Sequence, residues 1–190
     1  MVGALASWKS LRGIPLDPYW AKKFPRTEDL KTLFLPDPRA LNLIHYSVGS
    51  GQREDMLPDI FTLHNAGGTH LHGFQLNIAW PEPNKLEEYR ITMGGDATLV
   101  LQIGNHAVEL AGGTPEGVAE KLEGYIGIID TVLFDPSGGL GKPFDPARAH
   151  EFLTAINMWG FDLGVAGGLG PDSLDLLKSL LEDFPDINID

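Results

Sequence analysis

The sequence predicts an α/β fold built on a parallel sheet. Three observations carry this. Short apolar runs alternate with helix-like segments along the whole chain, and parallel strands need such crossovers. Two of the runs end in glycine-rich turns: Thr131 to Asp135 is followed by Gly138, Gly139 and Gly141, and Phe161 to Ala166 by Gly167, Gly168 and Gly170. These two stretches lie about one βα unit apart, so parallel strands would place both turns at the same end of the sheet. Seven strands and no tandem repeat are read. Seven strands fit a (β/α)₈ barrel lacking one strand, and they also fit a doubly wound open sheet; periodicity does not separate the two.

In chain order, Val2 to Ala6 is a short apolar strand followed by Lys9 and Arg12. Gly13 to Pro25 holds three prolines beside Tyr19 and Trp20 and reads as an irregular loop, longer than an ordinary βα connection and suited to a lid. Thr27 can cap a helix to Phe34. Leu41 to Val48 is the next strand, turned by Gly49 to Gly51. A helix over Leu57 to Ala66 stops at Gly67 and Gly68. Leu71 to Trp80 is a strand, Glu82 to Arg90 a helix, and Thr98 to Ile103 a strand. Thr114, Pro115 and Glu116 open a helix to Tyr125, with Thr114 as cap and Pro115 at its first position. After the strand ending at Asp135 come a helix from Pro146 to Asn157, the strand Phe161 to Ala166, a helix from Pro171 to Asp183 opened by Pro171 or Asp172, and a last strand from Ile187 to Ile189.

Length bounds the rest. At 190 residues the chain is read as one domain, 1–190. A net charge of −12 argues against a nucleic-acid or acidic-membrane surface, while a local basic pocket for phosphate stays open. There is no Cys, which removes disulfides, thiolate metal sites and a Cys nucleophile. No apolar run approaches membrane-spanning length and no signal peptide is evident, so the cytoplasm is the default location. No cofactor and no metal are expected.

The glycine turns suggest chemistry. Asp135 ends an apolar strand, where parallel strands deliver side chains to a ligand crevice. Gly138, Gly139 and Gly141 let backbone N–H groups approach an anion, and Gly167 and Gly168 feed a helix start, a second anion-binding arrangement. The plain alternative is an Asp capping its own glycine-rich turn.

Leu133-Phe134-Asp135 with Gly138-Gly139-Leu140-Gly141-Lys142-Pro143-Phe144-Asp145 resembles the LLD…GGxGKxFDW signature of phosphoribosylanthranilate isomerase, with Pro146 where that family has Trp. Ala166 to Asp172 is similar to the family's AGGLxPEN turn. Gly73-Phe74-Gln75-Leu76-Asn77 resembles its VQLHG strand, with Asn in place of His, and Val2 to Arg12 resembles its second strand and PKSxR turn. The resemblance favours a TIM-type (β/α)₈ barrel, incomplete because the first βα unit is absent. It implies a phosphorylated sugar as ligand and an Amadori-type aldose–ketose isomerisation in tryptophan biosynthesis. In that reaction an acid protonates the ring oxygen and a base removes the C2 proton.

By resemblance Asp135 occupies the general-acid position, Arg12 and Gln75 contact substrate, and Gly138, Gly139, Gly141, Gly167 and Gly168 cradle phosphate, with Lys142 near it. The family's base is a Cys in a KxCG motif on its first strand; this chain has none, and Asp190 is the carboxylate nearest such a role. The chain then reads as a fragment or as a divergent relative that has lost the reaction. The alternative function is a non-catalytic barrel that keeps its glycine turns for structure or ligand binding.

His70, just before the predicted strand 71–80, and His72 within it alternate and would share a face near the end opposite the glycine turns, which gives no reason for a metal there. His45 reads as a core residue or a pocket-lining one, and Trp80 with Pro81 as an aromatic wall or simply as core. A barrel short of one strand exposes two edges, at the Val2 and Ile187 strands, so either homo-oligomerisation through those edges or an N-terminal segment folded over the gap is expected.

Overall fold

A computed structural model describes residues 2–48, 53–137 and 143–190. Contacts group the chain into two compact units, residues 1–99 and 100–190.

The first unit contains β1 (Val2–Ser7), the short helices α1 (Trp8–Leu11) and α2 (Pro18–Ala21), a 3₁₀ turn (Thr27–Thr32), β2 (Asn42–Ser47), α3 (Met56–Gly67), β3 (Gly73–Asn77) and α4 (Pro83–Thr92). β1, β2 and β3 pair in parallel and in chain order, with Ala4 opposite Ile44 and Ile44 opposite Phe74. Side chains alternate across a strand. Ala4, Ala6, Ile44, Tyr46, Phe74 and Leu76 therefore share one face, and all are buried. Helices cover that face: Tyr46 reaches Asp59 of α3, and the Phe74 ring meets Tyr89 of α4 edge-on at 5.6 Å. Burial of each such large side chain stabilises the unit by about 1.5–3 kcal/mol. Leu5, His45 and Gln75 lie in one row on the opposite face.

Local signals set the element ends. Ser7, the last residue of β1, also caps α1 by accepting from the Ser10 N–H. α3 stops at Gly68, whose φ of 71° suits glycine. Three expectations need correction here. Thr27 is not a cap: Arg26 stands at that position without a side-chain bond, and the segment is a 3₁₀ turn ending at Thr32. The loop 13–25 contains α2, opened by Asp17, which accepts from the Tyr19 N–H, and by Pro18 at the first position. The strand expected over 71–80 is only Gly73–Asn77.

β4 (Thr98–Gly104) runs into the second unit, which continues with α5 (Asn105–Leu110), α6 (Pro115–Leu122), β5 (Thr131–Asp135), α7 (Pro146–Ile156), β6 (Asp162–Val165), α8 (Lys178–Asp183) and β7 (Asn188–Ile189). These four strands are again parallel and consecutive. Thr114 caps α6 with Pro115 behind it, as expected, and Asp145 caps α7 by accepting from the Arg148 N–H at 3.1 Å. Phe134 of β5 stacks on Phe152 of α7 with ring centroids 4.6 Å apart. The helix expected over 171–183 is divided: Pro171–Leu177 is 3₁₀ and only Lys178–Asp183 is α. Pro171 opens the segment at its first position, as expected, and Gly170 before it is the cap, its N–H donating to the Ser173 hydroxyl at 2.8 Å. α5 was not foreseen, because six residues are too few to show a period.

In each unit successive strands are neighbours, joined by helical crossovers. A doubly wound sheet instead reverses its strand order at a switch point. The chain is thus of the TIM-type α/β class, with seven strands among the described residues. No helix among those residues is long and apolar enough to cross a membrane.

Candidate functional site

Asp135 closes β5 and is buried. Three donors meet its carboxylate. Oδ1 accepts from the Ser137 backbone N–H at 3.0 Å and from the Ser137 hydroxyl at 2.7 Å, and Oδ2 accepts from Gln102 Nε2 at 2.7 Å. The first of these is an Asx turn, the arrangement by which an Asp shapes the loop after a strand. Gln102 comes from β4, where register sets it opposite Leu133, one pleat before Asp135 and on the same face. Asn105, at the start of α5, donates through Nδ2 to the Pro136 carbonyl, and Arg148 of α7 donates to Asn105 Oδ1 at 3.4 Å. Three elements therefore brace the turn.

The second glycine turn lies against this carboxylate. Gly167 and Gly168 have φ of 97° and 68°, the region that favours glycine. A Cβ on Gly167 would stand 2.6 Å from Asp135 Oδ1 and equally near the Ser137 side chain. Asp135, Ser137 and Gly167 thus meet at the C-terminal ends of β5 and β6. Gly138, Gly139, Gly141 and Lys142 lie outside the described residues. Beyond the turn, the Ser173 hydroxyl donates to the Gly170 carbonyl at 3.1 Å. Asp190 is exposed, its backbone N–H donating to the Val165 carbonyl.

In the first unit Arg12 is held by carboxylates. Its guanidinium forks onto Asp59, at 2.9 and 3.0 Å, lies 3.5 Å from Asp55, and covers the Trp8 ring at 4.6 Å. Hydrogen bonding to Asp59 raises its pKa above the usual range. Tyr46 donates to the same Asp59 at 2.5 Å and Trp8 Nε1 to Asp55 at 2.6 Å. Burial, with Asp59 beside it, pushes the Tyr46 phenol far above its ordinary pKa, so it stays a donor. Gln75 is buried on β3 in the row with His45. Trp80, shortly after β3, has a φ of 54°, unusual for a bulky residue. His70 is not on a strand but ends a 3₁₀ turn, and His72 Nδ1 accepts from the Asn42 N–H at 2.9 Å. Among the described residues no cluster of three His, Asp or Glu is arranged to hold a metal ion.

A solved structure shares this fold. The phosphoribosyl anthranilate isomerase of Thermus thermophilus matches with a TM-score of 0.58 and 16% identity, over 98% of this chain and 74% of that one. At that identity the likeness concerns the fold. No protein-family description matches the sequence, and no curated protein does.

Sequence reasoning missed Gln102, Ser137 and Asn105, and it did not see that Arg12 belongs with Asp59. A signal existed for Gln102: it is the single amide in the otherwise apolar run Leu99 to Ile103. Nothing local links Arg12 to a residue 47 positions away.

Proposed function

We propose that this chain binds a phosphorylated sugar at the C-terminal ends of β5 and β6, as a phosphoribosylanthranilate isomerase-like protein of the cytoplasm. One observation supports the reading above others: the Gly167 turn is packed directly on Asp135 and Ser137, so an ionisable group and a glycine turn share one mouth. In an aldose–ketose isomerisation Asp135 would serve the ring oxygen. The phosphate would lie toward Gly168, because an anion against Gly167 would meet the Asp135 carboxylate. Self-association through the outer edges of β1 and β7 is part of the same reading.

Thermal denaturation with ribulose phosphate tests binding. A ligand at one hundred times its Kd stabilises by about 2.7 kcal/mol, a shift of several degrees; no shift at high concentration removes the proposal. Turnover of phosphoribosylanthranilate tests activity, and turnover that survives Asp135→Asn excludes Asp135 as the acid.

A second reading is a non-catalytic barrel that keeps the turns for structure. Two contacts are consistent with it: both Asp135 oxygens are engaged within the protein, and Arg12 is forked onto Asp59. Stabilisation by ribulose phosphate without turnover is the outcome that selects it as a binding protein.

A further inference from the structure

We propose that Gln102 is a positioning residue for Asp135, setting the plane of its carboxylate; the role in ligand binding rests on the reading above. The inference begins with burial. Gln102 is 4% exposed on a strand whose neighbours Leu101 and Ile103 are fully buried. A primary amide in such surroundings is costly unless bonded. Its Nε2 donates to Asp135 Oδ2 at 2.7 Å, a bond between β4 and β5.

The two oxygens of Asp135 are held by different elements. Ser137, in the same turn, holds Oδ1 with two bonds, and a neighbouring strand holds Oδ2. The Asx turn restrains rotation about the Cβ–Cγ bond from the Oδ1 side only, through residues of the same turn. The bond from Gln102 restrains it from the Oδ2 side as well, from a neighbouring strand. With the plane fixed, Oδ1 faces Gly167 and Oδ2 faces β4. A filler role would need only volume in this position, and a thioether of similar length would supply it.

Gln102→Met keeps the length and removes the donor. Its crystal structure and the side-chain carboxyl carbon resonance of Asp135, assigned with Asp135→Asn, give readouts independent of activity. The expected result is a rotated or doubled Asp135 carboxyl, a shifted resonance and about tenfold weaker ribulose phosphate binding. An Asp135 group unchanged in orientation and resonance overturns the proposal. Should Gln102→Met fail to fold, the wild-type protein decides: the Gln102 side-chain amide protons should exchange slowly with solvent, and exchange as fast as a free glutamine overturns it. Failure of the wild-type chain to bind ribulose phosphate would remove the proposed function while the carboxyl orientation still reported on Gln102.

Discussion

Gly167 approaches Asp135 so closely that a single added methyl would lie 2.6 Å from the carboxylate oxygen Oδ1. The residue types at these two positions are therefore coupled: the acid can be buried here because position 167 carries no side chain. Gly167→Ala should destabilise the protein by about 2 kcal/mol or more, since its φ of 97° is strained for any other residue and the Cβ also meets the Ser137 side chain. Denaturant unfolding checks this. Gly13, also at positive φ but with open space around it, is the control and should cost less in Gly13→Ala.

The Arg12–Asp59–Tyr46 cluster ties the end of α1 to α3 and β2. Tyr46→Phe removes a buried donor from Asp59 and should cost about 1–2 kcal/mol, measured by urea unfolding. Arg12→Lys should also destabilise, because an ammonium cannot reproduce the fork onto both Asp59 oxygens. A double variant whose loss equals the sum of the two would show that the groups act independently.

His64 sits on α3 with Nδ1 2.7 Å from the Tyr89 hydroxyl, and burial lowers its pKa from 6.5. The Tyr89 phenol is raised by its own burial and remains a donor, which suits a neutral imidazole. The folded state therefore resists protonation where the unfolded chain accepts it. Stability contributed by this group is present above the unfolded value of 6.5 and is lost as pH falls from there through the depressed folded value. Unfolding free energies from pH 7 downward should fall more steeply for the wild type than for His64→Gln; parallel curves would contradict the assignment.

Thr114 accepts from the Gly117 N–H at 3.1 Å as the cap of α6. Thr114→Ala should cost about 1 kcal/mol, whereas Thr114→Asp should hold the helix. Helical circular dichroism through a thermal melt distinguishes the two.

Much of the fold is legible in the sequence because its causes are local. The caps Thr114 and Asp145 and the stop at Gly68 depend on residues within a turn of one another, and alternating apolar runs with helical crossovers require parallel strands. The exposed mixture of 3₁₀ and α structure over 171–183 was not legible, since Leu174, Leu177, Leu180 and Leu181 satisfy a helical period that the local Pro171 and Ser173 geometry does not follow throughout. Of the candidate site, Asp135 and Gly167 were legible as types that end strands and make turns. What they touch was not. That Gln102 would hold Oδ2, and that Arg12 would turn to Asp59 across 47 positions, depends on which strands and helices become neighbours. Strand register and helix packing decide that, because a hydrogen bond forms only where two groups arrive within about 3 Å, and no local pattern encodes the distance between residues far apart in the chain.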